Sequence, residues 1–244
     1  MKRLRIIAGP NGSGKTSVYE DLLRLGVAHF GVFVNADIIE ARIKTRGILS
    51  FQEFGVSVQE KVFKNGFAAF PKMDESAIKP DDFSITDNFL VIGKKERVDS
   101  YFACYVASYI REAMLDAGVE RITIETVMSH PGKLDLLKKA KSLGYRVYLY
   151  YVTTADPIVN IGRVAARRAI GGHDVPEEKI VKRYSRSLDN LYDAMMLSDR
   201  TFLFDNSGKV HKFIAEYESK KEELRVFGES APYWLQKYVI DKIH

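Results

Sequence analysis

Eight residues near the start of the chain, Gly9-Pro10-Asn11-Gly12-Ser13-Gly14-Lys15-Thr16, have the types and the spacing that hold a polyphosphate. They satisfy the pattern Gly-x-x-x-x-Gly-Lys-Ser/Thr. Gly9, Gly12 and Gly14 let the backbone turn tightly and come close to phosphate oxygens, and the free N–H groups at the start of a helix favour an anion. Lys15 has the reach for the β- and γ-phosphates, and the Thr16 hydroxyl is a ligand for Mg²⁺. Three further groups of residues carry the chemistry that such a loop needs. Asp37 is a candidate base for an acceptor hydroxyl, and Glu125 a candidate to hold Mg²⁺ through water or to hydrogen-bond the acceptor. Arg163, Arg167 and Arg183 are candidates to stabilise charge on a phosphate in transfer. The expected ligands are ATP and Mg²⁺.

The elements around these residues must position them. Leu4-Arg5-Ile6-Ile7-Ala8 is a short apolar run in front of the loop, and Ser17 to Leu25 behind it can form an amphipathic helix. Strand, glycine loop and helix together are the context that the motif requires. Val32-Phe33-Val34 predicts a second strand, with Asn35-Ala36-Asp37 at its carboxyl end, where ligands bind in an open α/β sheet. A helix follows, and Asn35 or Asp37 as its cap is the plain alternative reading. Phe51, Phe54, Val58, Val62 and Phe63 fit one helix face, and Phe83-Ser84-Ile85 and Phe89 to Ile92 fit two short strands around Asp87-Asn88.

Ser100 is placed to cap a helix reaching Gly118, Arg121 to Glu125 predicts a strand, and Pro131 to Leu143 a helix. Tyr145 to Val152 reads as a strand buried on both faces. Asp156-Pro157 starts a helix with Ile158, Ile161, Val164 and Ala165 inward and Arg163 and Arg167 on another face. Gly171-Gly172-His173-Asp174-Val175-Pro176 then reads as a hinge before a helix carrying Arg183. The two helices, about 160–190, are expected to form an arginine-bearing lid. Thr201 to Phe204 is read as the last strand, Glu216 to Arg225 as an exposed helix, and Pro232 to His244 as a short amphipathic helix with Trp234.

Strands alternating with helices predict an α/β fold: a parallel sheet in a three-layer sandwich with the phosphate loop after its first strand. The 244 residues are expected to make a single domain, 1–244, with an insertion at about 47–98 after the second strand. Hydrophobic content of 46% and charged content of 28% are ordinary for a globular protein, and no apolar run approaches a membrane span. Met1-Lys2-Arg3 leads straight into a strand, and the loop is expected to begin too early for a removable leader. The one cysteine, Cys104, excludes an internal disulfide and a cysteine metal cluster, so the expected setting is cytoplasmic, and it is read as a buried packing residue among Tyr101, Phe102, Tyr105 and Val106. A net charge of +5 suits anionic small molecules and leaves nucleic acid as the alternative partner.

Taken in order, the phosphate loop, Val34-Asn35-Ala36-Asp37 with Arg42, Ile124-Glu125-Thr126, Asn160 to Arg163, Arg183-Tyr184 and Phe204-Asp205-Asn206-Ser207 resemble the zeta-toxin family of phosphate-loop kinases. That resemblance implies an adenylate-kinase-like fold and ATP-dependent phosphorylation of a small hydroxyl acceptor. In the best-understood members the acceptor is UDP-N-acetylglucosamine, and an antitoxin protein blocks the nucleotide site. It also implies that Asp37 is the base, Lys15 the phosphate-loop lysine, Arg163, Arg167 and Arg183 lid residues, and Arg42, Glu125 and Thr126 acceptor-binding residues. In one respect this chain departs from the pattern: Thr126 follows Glu125 directly, where better-known toxins have an intervening glycine. Two other readings stay open on the residues themselves. One is a nucleic-acid-directed phosphate-loop protein, such as a polynucleotide end kinase or an ATP-regulated binding module. The other is a regulatory nucleotide switch.

Overall fold

The structure is a computed structural model and describes every residue except 72, 170–174 and 244. Residues 171–174 of the expected hinge 171–176, His173 among them, therefore lie outside the described residues. The chain divides into two compact units, one made of 1–30 and 125–244, the other of 31–124.

The first unit is built on a sheet whose strands have the order β10-β9-β8-β7-β1. Strand β1 (Arg3–Ala8) pairs parallel with β7 (Arg146–Thr153), and β7 with β8 (Arg200–Asp205). Val147 to Val152 of β7 is a continuous apolar run and β1 and β8 carry shorter ones, Ile6 to Ala8 and Phe202 to Phe204, as strands covered on both faces require. Ile6, Ile7, Leu149, Tyr151, Val152 and Leu203 are buried accordingly. Helix α1 (Lys15–Arg24) follows β1 and buries Val18 and Leu22. Helix α5 (Gly132–Ser142) precedes β7, while α6 (Pro157–Ala169), α7 (Glu177–Asp189) and α8 (Leu191–Met196) lie between β7 and β8. A short helical run, Tyr233–Leu235 into Gln236–Ile240, buries Trp234, Leu235 and Val239 near the chain's end.

The charged stretch read as a helix is instead a β-hairpin. β9 (Lys212–Glu218) pairs antiparallel with β8, and β10 (Glu223–Val226) with β9. Ile214, Ala215 and Tyr217 are buried along β9, so a strand's apolar face is present beneath the charges. The charges themselves are satisfied within the hairpin and its neighbour, Lys221 with Glu218 at 2.8 Å, Arg225 with Glu223 at 2.7 Å and Arg200 with Glu216. Glu222, at φ 53°, supplies the left-handed residue of the turn.

In the second unit β2 (Val32–Val34) pairs parallel with residues 122–124 of β6 (Arg121–Thr126). Helix α2 (Ala36–Arg46) leaves β2, capped by the Asn35 side chain, which accepts from the backbone N–H groups of Asp37 at 2.7 Å and Ile38 at 3.2 Å. A second sheet, in the order β3-β5-β4, contains β3 (Ile48–Ser50), β4 (Phe83–Thr86) and β5 (Phe89–Ile92). Helix α3 (Glu60–Ala69) and helix α4 (Ser100–Asp116) enclose an aromatic core in which Phe63 lies 5.8 Å from Phe51, 5.7 Å from Phe83 and 4.8 Å from Tyr105, ring centre to ring centre. Such edge-to-face pairs add to the burial of large apolar area.

Three local expectations are corrected in this unit. The single helix face from Phe51 to Phe63 is broken by Gly55 at φ 69°, so that a 3-10 turn, Gln52–Phe54, precedes α3. Asp99, and not Ser100, caps α4, accepting from the Phe102 N–H at 2.9 Å. Cys104 is exposed, because the buried stripe of α4 runs through Phe102, Tyr105, Val106 and Ile110 and position 104 falls out of that phase.

Asn88 ties the second sheet to the irregular segment before α3. At φ 63° it sits in the β4–β5 turn, while its side chain accepts from Val58 N–H at 2.9 Å and donates to Val56 carbonyl at 2.8 Å. Asn88→Ala is expected to lower unfolding stability by about 2–3 kcal/mol, through the left-handed backbone and the two lost bonds. Asn88→Gly, which tolerates the left-handed backbone and so loses only the two side-chain bonds, should fall between wild type and Asn88→Ala in chemical denaturation. Equal stability of wild type and Asn88→Gly would show the side-chain bonds to be worthless.

Candidate active site

The phosphate loop leaves β1 at Ala8 and enters α1 at Lys15. Gly9 N–H donates to the Thr126 carbonyl at 3.3 Å. Gly12 and Gly14 have φ of 74° and 88°, and any Cβ there would run into the Asn160 backbone and the Asn206 amide respectively. The glycines are thus required by both conformation and space. Helix α1 has no side-chain cap and no acidic residue in its first turn, an arrangement that leaves its terminal N–H groups to an anion.

Lys15 is buried, its Nζ donating to the Pro10 carbonyl at 2.9 Å and lying 3.9 Å from Glu125 Oε1. Thr16 Oγ1 donates to the other carboxylate oxygen of Glu125 at 3.2 Å. The three residues expected to handle phosphate charge and Mg²⁺ therefore stand together in the first unit. A threonine hydroxyl and a carboxylate are hard oxygen donors, which fits Mg²⁺: that ion takes few protein oxygens and completes its shell with phosphate and water. Among the described residues no cluster of three or more His, Cys, Asp or Glu forms a metal cage of another kind.

One of the three predicted arginines also touches the phosphate loop. Arg183 Nη1 on α7 donates to Asn11 Oδ1 at 3.3 Å. Arg163 on α6 donates through Nη2 to the Gly208 carbonyl at 3.0 Å, and its Nη1 is buried without a hydrogen-bond partner. Arg167 is exposed on α6. Ile158, expected inward, is 71% exposed. The buried stripe of α6 is Asn160 and Val164, four residues apart, so a polar residue shares the inward phase and the first turn faces out. Tyr184 on α7 donates to the Thr154 carbonyl at 2.6 Å, and burial pushes its hydroxyl pKa up to about 12.

Sequence reasoning quoted Asn160 and Asn206 without giving either a task. Asn160 Nδ2 donates to the Asn11 carbonyl at 2.6 Å, and Asn206 Nδ2 to the Ser13 carbonyl at 2.8 Å. Neither has a spacing signal, since a side-chain bond to a distant carbonyl leaves no periodicity in the sequence. Thr126 uses its hydroxyl locally, accepting from Met128 N–H at 3.2 Å.

In the second unit Asp37 is exposed in the first turn of α2, and Arg42 on the same helix pairs with Glu53 at 3.0 Å. A cavity of about 240 Å³ is lined there by Phe33, Asn35, Ile38, Arg42, Glu53 and Phe54. Glu53, from the predicted insertion, was not foreseen as a partner of Arg42.

The arrangement defines a phosphate-loop α/β protein with a mostly parallel sheet. No protein-family model and no curated protein matches the chain. Solved structures do. A chain of the AvrRxo1-ORF1:-ORF2 crystal structure with ATP aligns with a TM-score of 0.56 at 16% identity, over 100% of this chain and 63% of that one. A chain from the PezAT chromosomal toxin-antitoxin system of the human pathogen Streptococcus pneumoniae aligns with a TM-score of 0.51 at 15% identity, over 98% of this chain and 79% of that one. This chain spans 61% to 63% of the AvrRxo1-ORF1:-ORF2 chains that it matches. The likeness establishes a shared fold, and at that level it agrees with the resemblance read from the motifs. Among the described residues no helix is long and apolar enough to cross a membrane.

Gly14→Ala and Gly144→Ala separate space from conformation. Both glycines have positive φ, but nothing lies within 4 Å of a Cβ at Gly144. Gly144→Ala should cost about 1 kcal/mol in denaturant unfolding, and Gly14→Ala at least about 1 kcal/mol more. Equal losses would contradict the close packing of Asn206 on the loop.

Proposed function

We propose that this chain is an ATP-dependent phosphotransferase of the zeta-toxin type, acting on a hydroxyl of a small molecule. The observation that carries the reading is the grouping of Lys15, Thr16 and Glu125 on a phosphate loop that Arg183 also touches. It is a set suited to a triphosphate: a buried ammonium, an oxygen pair for a divalent ion, and a guanidinium. The ATP in the AvrRxo1-ORF1:-ORF2 structure, on the same fold, supports ATP as the donor.

In the proposed reaction the acceptor oxygen forms a bond to the γ-phosphorus while the bond from that phosphorus to the β,γ-bridging oxygen breaks, the electron pair leaving with ADP. Asp37 takes the proton of the acceptor hydroxyl, a role that suits an exposed carboxylate at the carboxyl end of β2. Lys15, Arg163, Arg167 and Arg183 offset the negative charge, and positioning together with electrostatics supplies most of the rate. Thr16 and Glu125 would hold Mg²⁺, which when bound neutralises the β- and γ-oxygens. Arg42, Glu125 and Thr126 are the proposed acceptor contacts, and a nucleotide sugar such as UDP-N-acetylglucosamine is the proposed acceptor. An antitoxin partner belongs to the same reading, supported by the toxin-antitoxin system among the structural likenesses, and a cytoplasmic setting is proposed with it.

The test is incubation with γ-labelled ATP, Mg²⁺ and a panel of nucleotide sugars and other hydroxyl metabolites. A labelled product other than inorganic phosphate is expected with at least one acceptor. Asp37→Asn should bind ATP within about threefold of wild type yet turn over at least about 100-fold more slowly. Label released only as inorganic phosphate, whatever the acceptor, would contradict the proposal, as would full turnover by Asp37→Asn.

A further inference from the structure

A phosphate loop works only if its peptide N–H groups face the ligand; within the loop the Pro10 carbonyl is held by Ser13 N–H at 3.3 Å and Lys15 Nζ at 2.9 Å, while the Asn11–Gly12 and Ser13–Gly14 peptides are held from outside it. In a trans peptide the carbonyl of one residue and the N–H of the next point in opposite directions. A bond that holds a carbonyl outward therefore aims the following N–H inward. Two carbonyls of this loop are held in that way, each by a buried asparagine amide from another part of the first unit. Asn160, fully buried, donates to the Asn11 carbonyl, and Asn206, 9% exposed, donates to the Ser13 carbonyl. Since a carbonyl can only accept, these contacts also fix which way each amide is turned.

We propose that Asn160 and Asn206 are positioning residues that set the phosphate loop in its anion-binding form before any nucleotide arrives, by aiming the N–H groups of Gly12 and Gly14 at the phosphate. Both are braced in turn. Thr154 Oγ1 donates to Asn160 Oδ1, and the backbone N–H of Asn206 donates to the Thr153 carbonyl at 2.7 Å. The preceding residue, Asp205, accepts from Ser207 N–H at 2.9 Å and from Trp234 Nε1 at 2.8 Å, so the helical run near the chain's end fastens the corner that carries Asn206. Gly12 and Gly14 lie directly against the two asparagines, close enough that an added Cβ would displace them.

The inference rests on the phosphate loop binding ATP, and its test uses binding alone. Asn206→Asp keeps the shape and turns the donor into an acceptor facing the Ser13 carbonyl. Affinity for ATP and for inorganic tripolyphosphate should fall by the same factor, at least about tenfold, with secondary structure retained. Asn160→Asp is expected to do the same. Because aspartate also brings a negative charge near the phosphates, the uncharged Asn206→Ser, too short to span to Ser13, is expected to lose affinity for both ligands in the same direction, and it carries the test alone if Asn206→Asp does not fold. Loss for ATP with tripolyphosphate unchanged would place Asn206 on the base and overturn the inference. So would unchanged affinity for both ligands. Failure of the wild type to bind either ligand would overturn the phosphotransferase reading and this inference with it, whereas a wild type that binds beside an indifferent variant removes the inference alone.

Discussion

The arrangement of the first unit depends on burying the back of the phosphate loop without leaving its carbonyls unpaired. Buried peptide groups must find partners, and a loop built from glycines has no regular ladder to supply them. Asn160 and Asn206 supply them from α6 and from the turn after β8, while the Thr126 carbonyl takes the N–H of Gly9. Much else follows from that requirement. The parallel order of β1, β7 and β8 brings the ends of three strands to one edge, so residues far apart in the chain can reach one short loop. Asn160 has to point inward, which sets the face that α6 buries and turns Ile158 out to solvent.

Charge at the site obeys the same economy of partners. Lys15 stands between the Pro10 carbonyl and Glu125, and Glu125 also accepts from Thr16. A buried ammonium needs such neighbours in the absence of a polyphosphate. The groups proposed to meet the γ-phosphate and Mg²⁺ thereby hold one another in place. Arg183 is linked to the same loop through the Asn11 side chain, so Asn11 is shared between the helix that positions the loop and the helix that carries the cation.

The chemistry of the loop was legible in the sequence because it is local: eight consecutive residues, a strand before and a helix after. Most strands and helices were legible for the same reason, including the Asp87-Asn88 turn, whose residues tolerate the left-handed backbone they adopt. What escaped depended on partners distant in sequence. The charged residues of β9 and β10 read as a solvated helix because their cross-strand and same-strand ion pairs are invisible without the pairing register. The outward placement of Cys104 was hidden among aromatic neighbours on both sides of it. Asn160 and Asn206 act on carbonyls 149 and 193 positions away, which no pattern of residue types announces.

A crystal structure with ATP and Mg²⁺ bound is the most direct measurement of whether the loop is built beforehand for a triphosphate. The account predicts that the Asn11 and Ser13 carbonyls stay on Asn160 and Asn206, and that Lys15 Nζ leaves the Pro10 carbonyl for the β- and γ-phosphate oxygens. A bound state in which these two carbonyls have let go of their asparagines and the loop has refolded around the nucleotide would contradict it.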